Sequence, residues 1–190
     1  MPEVTVYIAH SLDGYIADAE GSIGWLAPYD ACDYGYDAFF RSIDALVMGA
    51  ATYRECRRVA EWPYRGKAAI VMTKSGRIDE DGLAVFDDRT AVEIAYDPER
   101  AGLSRIWVGG GGPPTRAFLD AGLVRRLTTF VIPVILGSGT PLWRPGARRC
   151  EVALERCVTH VNGVVEMVHA VTPTRGRGPS RGGDRGPATG

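Results

Sequence analysis

The chain has 190 residues, enough for one domain with a real core, and its 45% apolar and 24% charged residues are ordinary for a globular protein. A formal net charge of −1 excludes an overall basic field that would draw nucleic acid or acidic membranes. The longest apolar stretches, such as FVIPVIL, are too short for a membrane-crossing helix, and no leader-type segment precedes the first apolar run. The expected setting is the cytosol, with no membrane and no nucleic-acid partner.

In chain order, Val4–Ala9 predicts a first strand that stops abruptly in His10-Ser11-Leu12-Asp13-Gly14. DYGYDAFFRSI predicts a helix, and Ala45–Met48 predicts a strand running into Gly49. AATYRECRRVA predicts a second helix, followed by strands at Ala68–Met72 and Leu83–Phe86. Thr90 with Glu93 three residues on is a capping-box pattern that opens a brief helix. IWV leads into GGGG, and Pro113–Ala121 predicts a helix with prolines in its first turn and Gly122 just past its end. Leu127–Leu136 predicts a long strand, and CEVALERCVTHV with VVEMVHAV flanks Asn162-Gly163, a hairpin signal. The alternation implies a largely parallel sheet with an antiparallel hairpin at its carboxyl end.

From Thr172 the sequence becomes TPTRGRGPSRGGDRGPATG, too poor in apolar residues to offset the entropy of ordering it. The expected organisation is a folded domain at 1–171 and a disordered Gly/Arg/Pro-rich tail at 172–190. Cys32, Cys56, Cys150 and Cys157 form no CxxC pair and have no histidine at zinc-type spacing. They are read as free thiols, mostly buried, and no metal site is expected. Tyr53, Trp25 and Trp107 lie within apolar segments and are read as core aromatics.

Several strand ends carry groups suited to a ligand. In open α/β sheets, ligands sit outside the carboxyl ends of parallel strands. There the sequence places Ser11–Gly14, Gly49–Thr52, Thr73–Lys74 and Gly109–Gly112. Glycine at a strand-to-helix turn lets main chain approach a phosphate, and the helix amino terminus supplies N–H donors. The run is neither GxxxxGK[ST] nor GxGxxG, since Pro114 stands where the last glycine is required. Asp13 has two open readings: an Asx-type cap before Gly14, or a group that binds substrate and assists its protonation.

The segments SLDGYIA, DALVMGAATY, VMTKS, IWVGGGGPPTRAFLDAGLVRRL and IPVILGSGTPLW occur in order across nearly the whole predicted domain. Together they resemble the dihydrofolate reductase superfamily, and most of all stand-alone relatives of the reductase domain of bacterial riboflavin-biosynthesis deaminase-reductases. The resemblance implies a three-layer α/β/α fold with a central mixed, mostly parallel sheet, and NADPH lying across the strand ends. It implies that Gly49 and Thr52 hold a cofactor phosphate, and that Thr73 and Lys74 embrace the adenosine ribose and its 2′-phosphate. Gly110, Gly111 and Gly112 match the glycines that cradle the pyrophosphate, and Ser11, Asp13 and Gly14 match the loop bordering nicotinamide and substrate. A homodimer through the later strands is a further implication.

Two departures qualify the match. Ala50 and Ala51 stand where the family commonly has a basic residue, and no helix carboxylate for gripping a pterin is assigned, although Asp37 falls in the first predicted helix. The expected activity is hydride transfer from NADPH to a C=N or C=O group of a small heterocyclic or sugar-linked substrate, with folate disfavoured. The competing readings are a nucleotide-binding protein without turnover and an interaction module working through the tail.

Overall fold

A computed structural model describes residues 2–74, 81–97, 102–143, 145–146 and 149–172. The strands are β1 (Glu3–Ser11), β2 (Tyr15–Ala17), β3 (Ala45–Gly49), β4 (Ala68–Met72), β5 (Val85–Asp87), β6 (Arg105–Gly110), β7 (Val124–Ile132), β8 (Thr140–Pro141), β9 (Glu151–Thr159) and β10 (Val165–Thr172). The α-helices are α1 (Tyr36–Ser42), α2 (Ala50–Cys56), α3 (Ala91–Ala95) and α4 (Gly112–Asp120), and a 3-10 helix covers Gly24–Tyr29. One eight-stranded sheet runs β5-β4-β3-β6-β1-β7-β10-β9, and β2 pairs with β8 in a separate ribbon. The strands from β5 to β7 in that order are parallel, whereas β10 is antiparallel to both of its neighbours.

Period-two alternation in the buried strands builds the layers. Val4, Val6, Val47, Ile70 and Val108 pack on one face with Ile94 of α3 and Phe118 of α4. Leu46, Met48, Val71 and Trp107 pack on the other with Phe39 and Phe40 of α1 and Tyr53 of α2. The result is the expected α/β/α arrangement. A third cluster joins Phe130, Ile132 and Val164 to Trp25, Leu26, Tyr29 and Tyr34, covering the far ends of β1 and β7. Among the described residues, no helix is long and apolar enough to cross a membrane.

Several boundaries differ from expectation for local reasons. The first predicted helix starts only at Tyr36, because the Asp33 carboxylate accepts from the Gly35 N–H at 2.7 Å and Gly35 takes a φ of +75°. The second ends at Cys56, where Arg58 N–H closes a tight turn on the Glu55 carbonyl. The strand expected at Leu83–Phe86 lies at Val85–Asp87. The strand expected at Leu127–Leu136 lies at Val124–Ile132, since Pro133 has no N–H to continue the ladder. Asn162-Gly163 does form a hairpin, but through a five-residue loop with Gly163 left-handed at +83° rather than a two-residue turn. The capping box is present as expected, with Thr90 N–H and Glu93 N–H each satisfied by the other residue's side chain. The cysteines are unpaired but none is fully buried, so the expectation of mostly buried thiols is corrected. The expected tail beyond Thr172, and Met1, lie outside the described residues.

One carboxylate ties the entrance of β3 to that of β6. Asp44 accepts from Ser104 N–H at 3.0 Å, Ser104 Oγ at 3.0 Å, Arg105 N–H at 2.8 Å and Arg105 Nη2 at 3.2 Å. Partial burial opposes ionisation, but Arg105 and the Ser104 donors outweigh it and hold the carboxyl at about 2. Its folded value lies below the unfolded value of about 3.9, so its stabilisation is complete above that and is lost as pH falls toward the folded value. Asp44→Ala should lower stability at pH 7 by about 1–2 kcal/mol, allowing for partial exposure. Urea midpoints should show a smaller difference at pH 3 than at pH 7; an equal difference would contradict the role of the ionised carboxyl.

Candidate active site

Parallel register lines up the glycine corners. Gly49 lies opposite Met72 across β3 and β4, and Met48 lies opposite Gly110 across β3 and β6. Thr73–Lys74, Gly49–Thr52 and Gly110–Gly112 therefore leave three adjacent strands along one edge of the sheet. β1 runs beside β6 in the same direction and adds Ser11–Gly14 next in line. Thr73 is fixed by its N–H, which donates to the Asp87 carbonyl at 3.0 Å. Lys74 is exposed, and Ser75 and Gly76 lie outside the described residues.

The two central corners touch because they lack side chains. Gly110 and Gly111 have φ values of +141° and +81°. A Cβ on Gly111 would stand 3.3 Å from Pro114 Cδ, 3.6 Å from Thr52 Oγ1 and 3.7 Å from Gly49 N. One on Gly110 would stand 3.3 Å from Thr52 Oγ1. Main chain from β3 and β6 thus meets around the Thr52 hydroxyl. Neither α2 nor α4 has a side-chain cap at its N-terminus. In α4 the prolines at 113 and 114 have no N–H, leaving Gly111 and Gly112 as the donors ahead of Thr115. The Thr115 hydroxyl is buried in this turn without a partner among the described residues. A cradle of glycine backbone and uncapped helix termini fits the phosphates of a dinucleotide.

At the β1 end, Asp13 organises the main chain of a distant loop. Its carboxylate accepts from Ser11 Oγ at 2.6 Å, Leu136 N–H at 3.1 Å and Gly137 N–H at 2.7 Å. The Ser11 hydroxyl also accepts from Tyr15 N–H at 2.9 Å. The Ser11 hydrogen bond is the largest cause and, together with the two loop amides, outweighs the opposing desolvation and lowers the Asp13 pKa. Gly14, at φ +87°, closes the turn with its N–H on the Ser11 carbonyl, and its own carbonyl accepts from Leu142 N–H. Gly139, at φ +141°, is required by close approach, since a Cβ there would overlap the Ala17 carbonyl oxygen. The β2–β8 ribbon holds the same two loops together. His10 is a structural residue, its Nδ1 lying 2.7 Å from the Ser11 carbonyl oxygen.

One polar group at this end carries no signal in the sequence. Trp25 packs in the third cluster as a core aromatic should, yet its indole N–H is buried with no acceptor among the described residues. A buried donor without a protein partner is uncommon and marks a place for a ligand or solvent acceptor. Nothing in the local sequence IGWLAP distinguishes such an indole from an ordinary core residue.

A groove of about 450 Å³ lies elsewhere, on the sheet face near Thr5, Tyr7, Thr128 and Glu166. Its Arg105, Arg126 and Arg156 are paired with Asp44, Glu155 and Glu166 respectively, so it offers no free cluster of cations.

Comparison with known proteins bears on the family. Residues 2–165 match the family model of the RibD C-terminal domain. The chain is 33% identical over 143 residues to the uncharacterized protein YwjB of Bacillus subtilis, covering 74% of this chain and 82% of that protein. It is 26% identical over 152 residues to the riboflavin biosynthesis protein RibD of Corynebacterium ammoniagenes, covering 73% of this chain but 45% of that protein. The crystal structure of a putative riboflavin biosynthesis protein from Shewanella sp. PV-4 superposes with a TM-score of 0.81 at 25% identity, covering 90% of this chain and 99% of that one. The reductase-like sheet, its glycine corners and the match over 2–165 lead to one assignment: the chain belongs to the RibD C-terminal domain family.

Proposed function

We propose that the protein is an NADPH-dependent reductase acting on a C=N or C=O group of a small heterocyclic or sugar-linked compound. The observation that carries the reading is the meeting of the β3 and β6 corners at Thr52, with Thr73–Lys74 on one side and Ser11–Gly14 on the other. Gly49, Thr52 and Gly110–Gly112 would hold the phosphates, Thr73 and Lys74 the ribose phosphate, and Ser11, Asp13 and Gly14 would border the nicotinamide and substrate. Bound NADPH supplies the hydride.

The chain's own contribution is position. An ionised carboxylate accepting three hydrogen bonds has no proton to give, so Asp13 acts by fixing the 136–137 backbone rather than as an acid. The exposed edge strand β9 is where a second copy would add if the protein dimerises. Ala50 and Ala51 at the Gly49 corner, together with the engagement of Asp13, favour a second reading, a nucleotide-binding protein that does not turn over.

NADPH and NADH titrations followed by nicotinamide fluorescence test the cofactor assignment; absence of binding to both would end it. Lys74→Ala should weaken NADPH about three- to tenfold while leaving NADH nearly unchanged. Oxidation of NADPH by an acceptor would exclude the non-catalytic reading. For the Asp13 clamp, hydrogen exchange at the Leu136 and Gly137 amides should speed up in Asp13→Asn. Because the folded pKa of Asp13 is depressed, wild-type protection should persist above about 4 and be lost as pH falls through the folded value. Unchanged exchange in the variant would remove the clamp.

A further inference from the structure

The first turn of α4 is poor in amides and holds one polar group that the described residues leave without a partner. Pro113 and Pro114 follow Gly112 at the start of the helix, so two of the N–H groups a helix presents at its amino terminus are missing. Thr115 comes next. It is fully buried, and its hydroxyl has no hydrogen-bond partner among the described residues. Its own N–H is engaged, donating to the Gly111 carbonyl at 3.3 Å. A threonine inside a helix commonly turns its hydroxyl onto a carbonyl three or four residues back. Here those are the carbonyls of Gly112 and Gly111, and the hydroxyl bonds neither. Helix side chains lean toward the amino terminus, so that of Thr115 lies over the turn of Gly111 and Gly112 rather than over the body of α4. The β3 and β6 corners meet at the same turn, where a Cβ on Gly111 would stand 3.7 Å from Gly49 N. An orphaned hydroxyl is costly to the free protein, and this one sits where helix donors have been removed.

We propose that the Thr115 hydroxyl is an anion-binding donor of the α4 corner, standing in for the amides that Pro113 and Pro114 lack, and that its partner is a phosphate oxygen of the dinucleotide. The inference rests on the dinucleotide part of the reading above and adds a residue to it. Phosphate oxygens accept hydrogen bonds, and a hydroxyl donates to them with the help of their charge. The two prolines fix the backbone of the turn, so the donor meets the anion with little ordering cost at the protein. A buried water would satisfy the hydroxyl as well. The two partners differ in what the ligand-free protein loses when the hydroxyl is removed.

The test compares the full wild-type chain with Thr115→Val, which keeps the shape and removes the hydroxyl, and with Thr115→Ser, which keeps the hydroxyl. Affinity for NADP⁺ is measured by calorimetry, and the stability of the ligand-free proteins by urea unfolding. Thr115→Val should bind NADP⁺ about tenfold more weakly. Its ligand-free urea midpoint should equal that of the wild type or exceed it, because removing an unsatisfied buried hydroxyl relieves its desolvation. Thr115→Ser should stay within about threefold of wild-type affinity. Pro113→Ala restores one amide to the turn, and in that background Thr115→Val should cost about threefold or less. Unchanged affinity in Thr115→Val would overturn the inference. A lower ligand-free midpoint in that variant would also overturn it, since that marks a structural partner such as water. So would Thr115→Ser as weak as Thr115→Val, or equal losses with and without Pro113. Should the wild-type protein bind neither NADP⁺ nor NADPH, the dinucleotide reading itself would fail, and that outcome is read from the wild-type titrations alone.

Discussion

The central constraint is the parallel register of β4, β3, β6 and β1. Parallel strands expose all their carboxyl ends at one edge, so chain segments far apart in sequence emerge side by side. Gly49 opposite Met72, and Met48 opposite Gly110, are the pairings that set these corners side by side along one edge of the sheet. The aliphatic alternation that buries Val47, Val108 and Val6 on one face, and Met48 and Trp107 on the other, holds that register. A slip of one residue would reverse the faces and separate the corners together.

This edge has two halves built by different means. The β3–β6 half is made of main chain: glycines that let two turns meet and helix termini without side-chain caps. The β1–β7 half is made of loops pinned to one another by Asp13, by the β2–β8 ribbon and by the close contact at Gly139. A main-chain half suits a ligand component recognised by shape and charge, such as phosphate. A half lined by side chains can be re-specified by substitution without disturbing the sheet.

What could be read from the sequence follows from the range of each interaction. The capping box at Thr90 and Glu93 spans one turn, and both residues behave as the pattern implies. Glycine corners were legible because glycine between a strand and a helix has few other uses. Asp13 has two readings in the sequence because its decisive partners, Leu136 and Gly137, lie 123 and 124 residues away. The β2–β8 ribbon was missed for the same reason, since three- and two-residue strands carry no periodicity of their own. The late start of the first helix and the early end of β7 were set by Asp33 and Pro133, single residues that overrode the apolar pattern around them.

The paired prolines of α4 have a consequence for cooperativity. With two of its first-turn amides missing, that helix cannot by itself envelop an anion, and the α2 corner must share the load. An anion seated at Gly49 and Gly111 would act as a staple across the middle of the sheet, joining strands whose sequence neighbours are otherwise remote. Occupancy would then be linked to the integrity of the innermost ladder, and the bound form would resist unfolding as one unit.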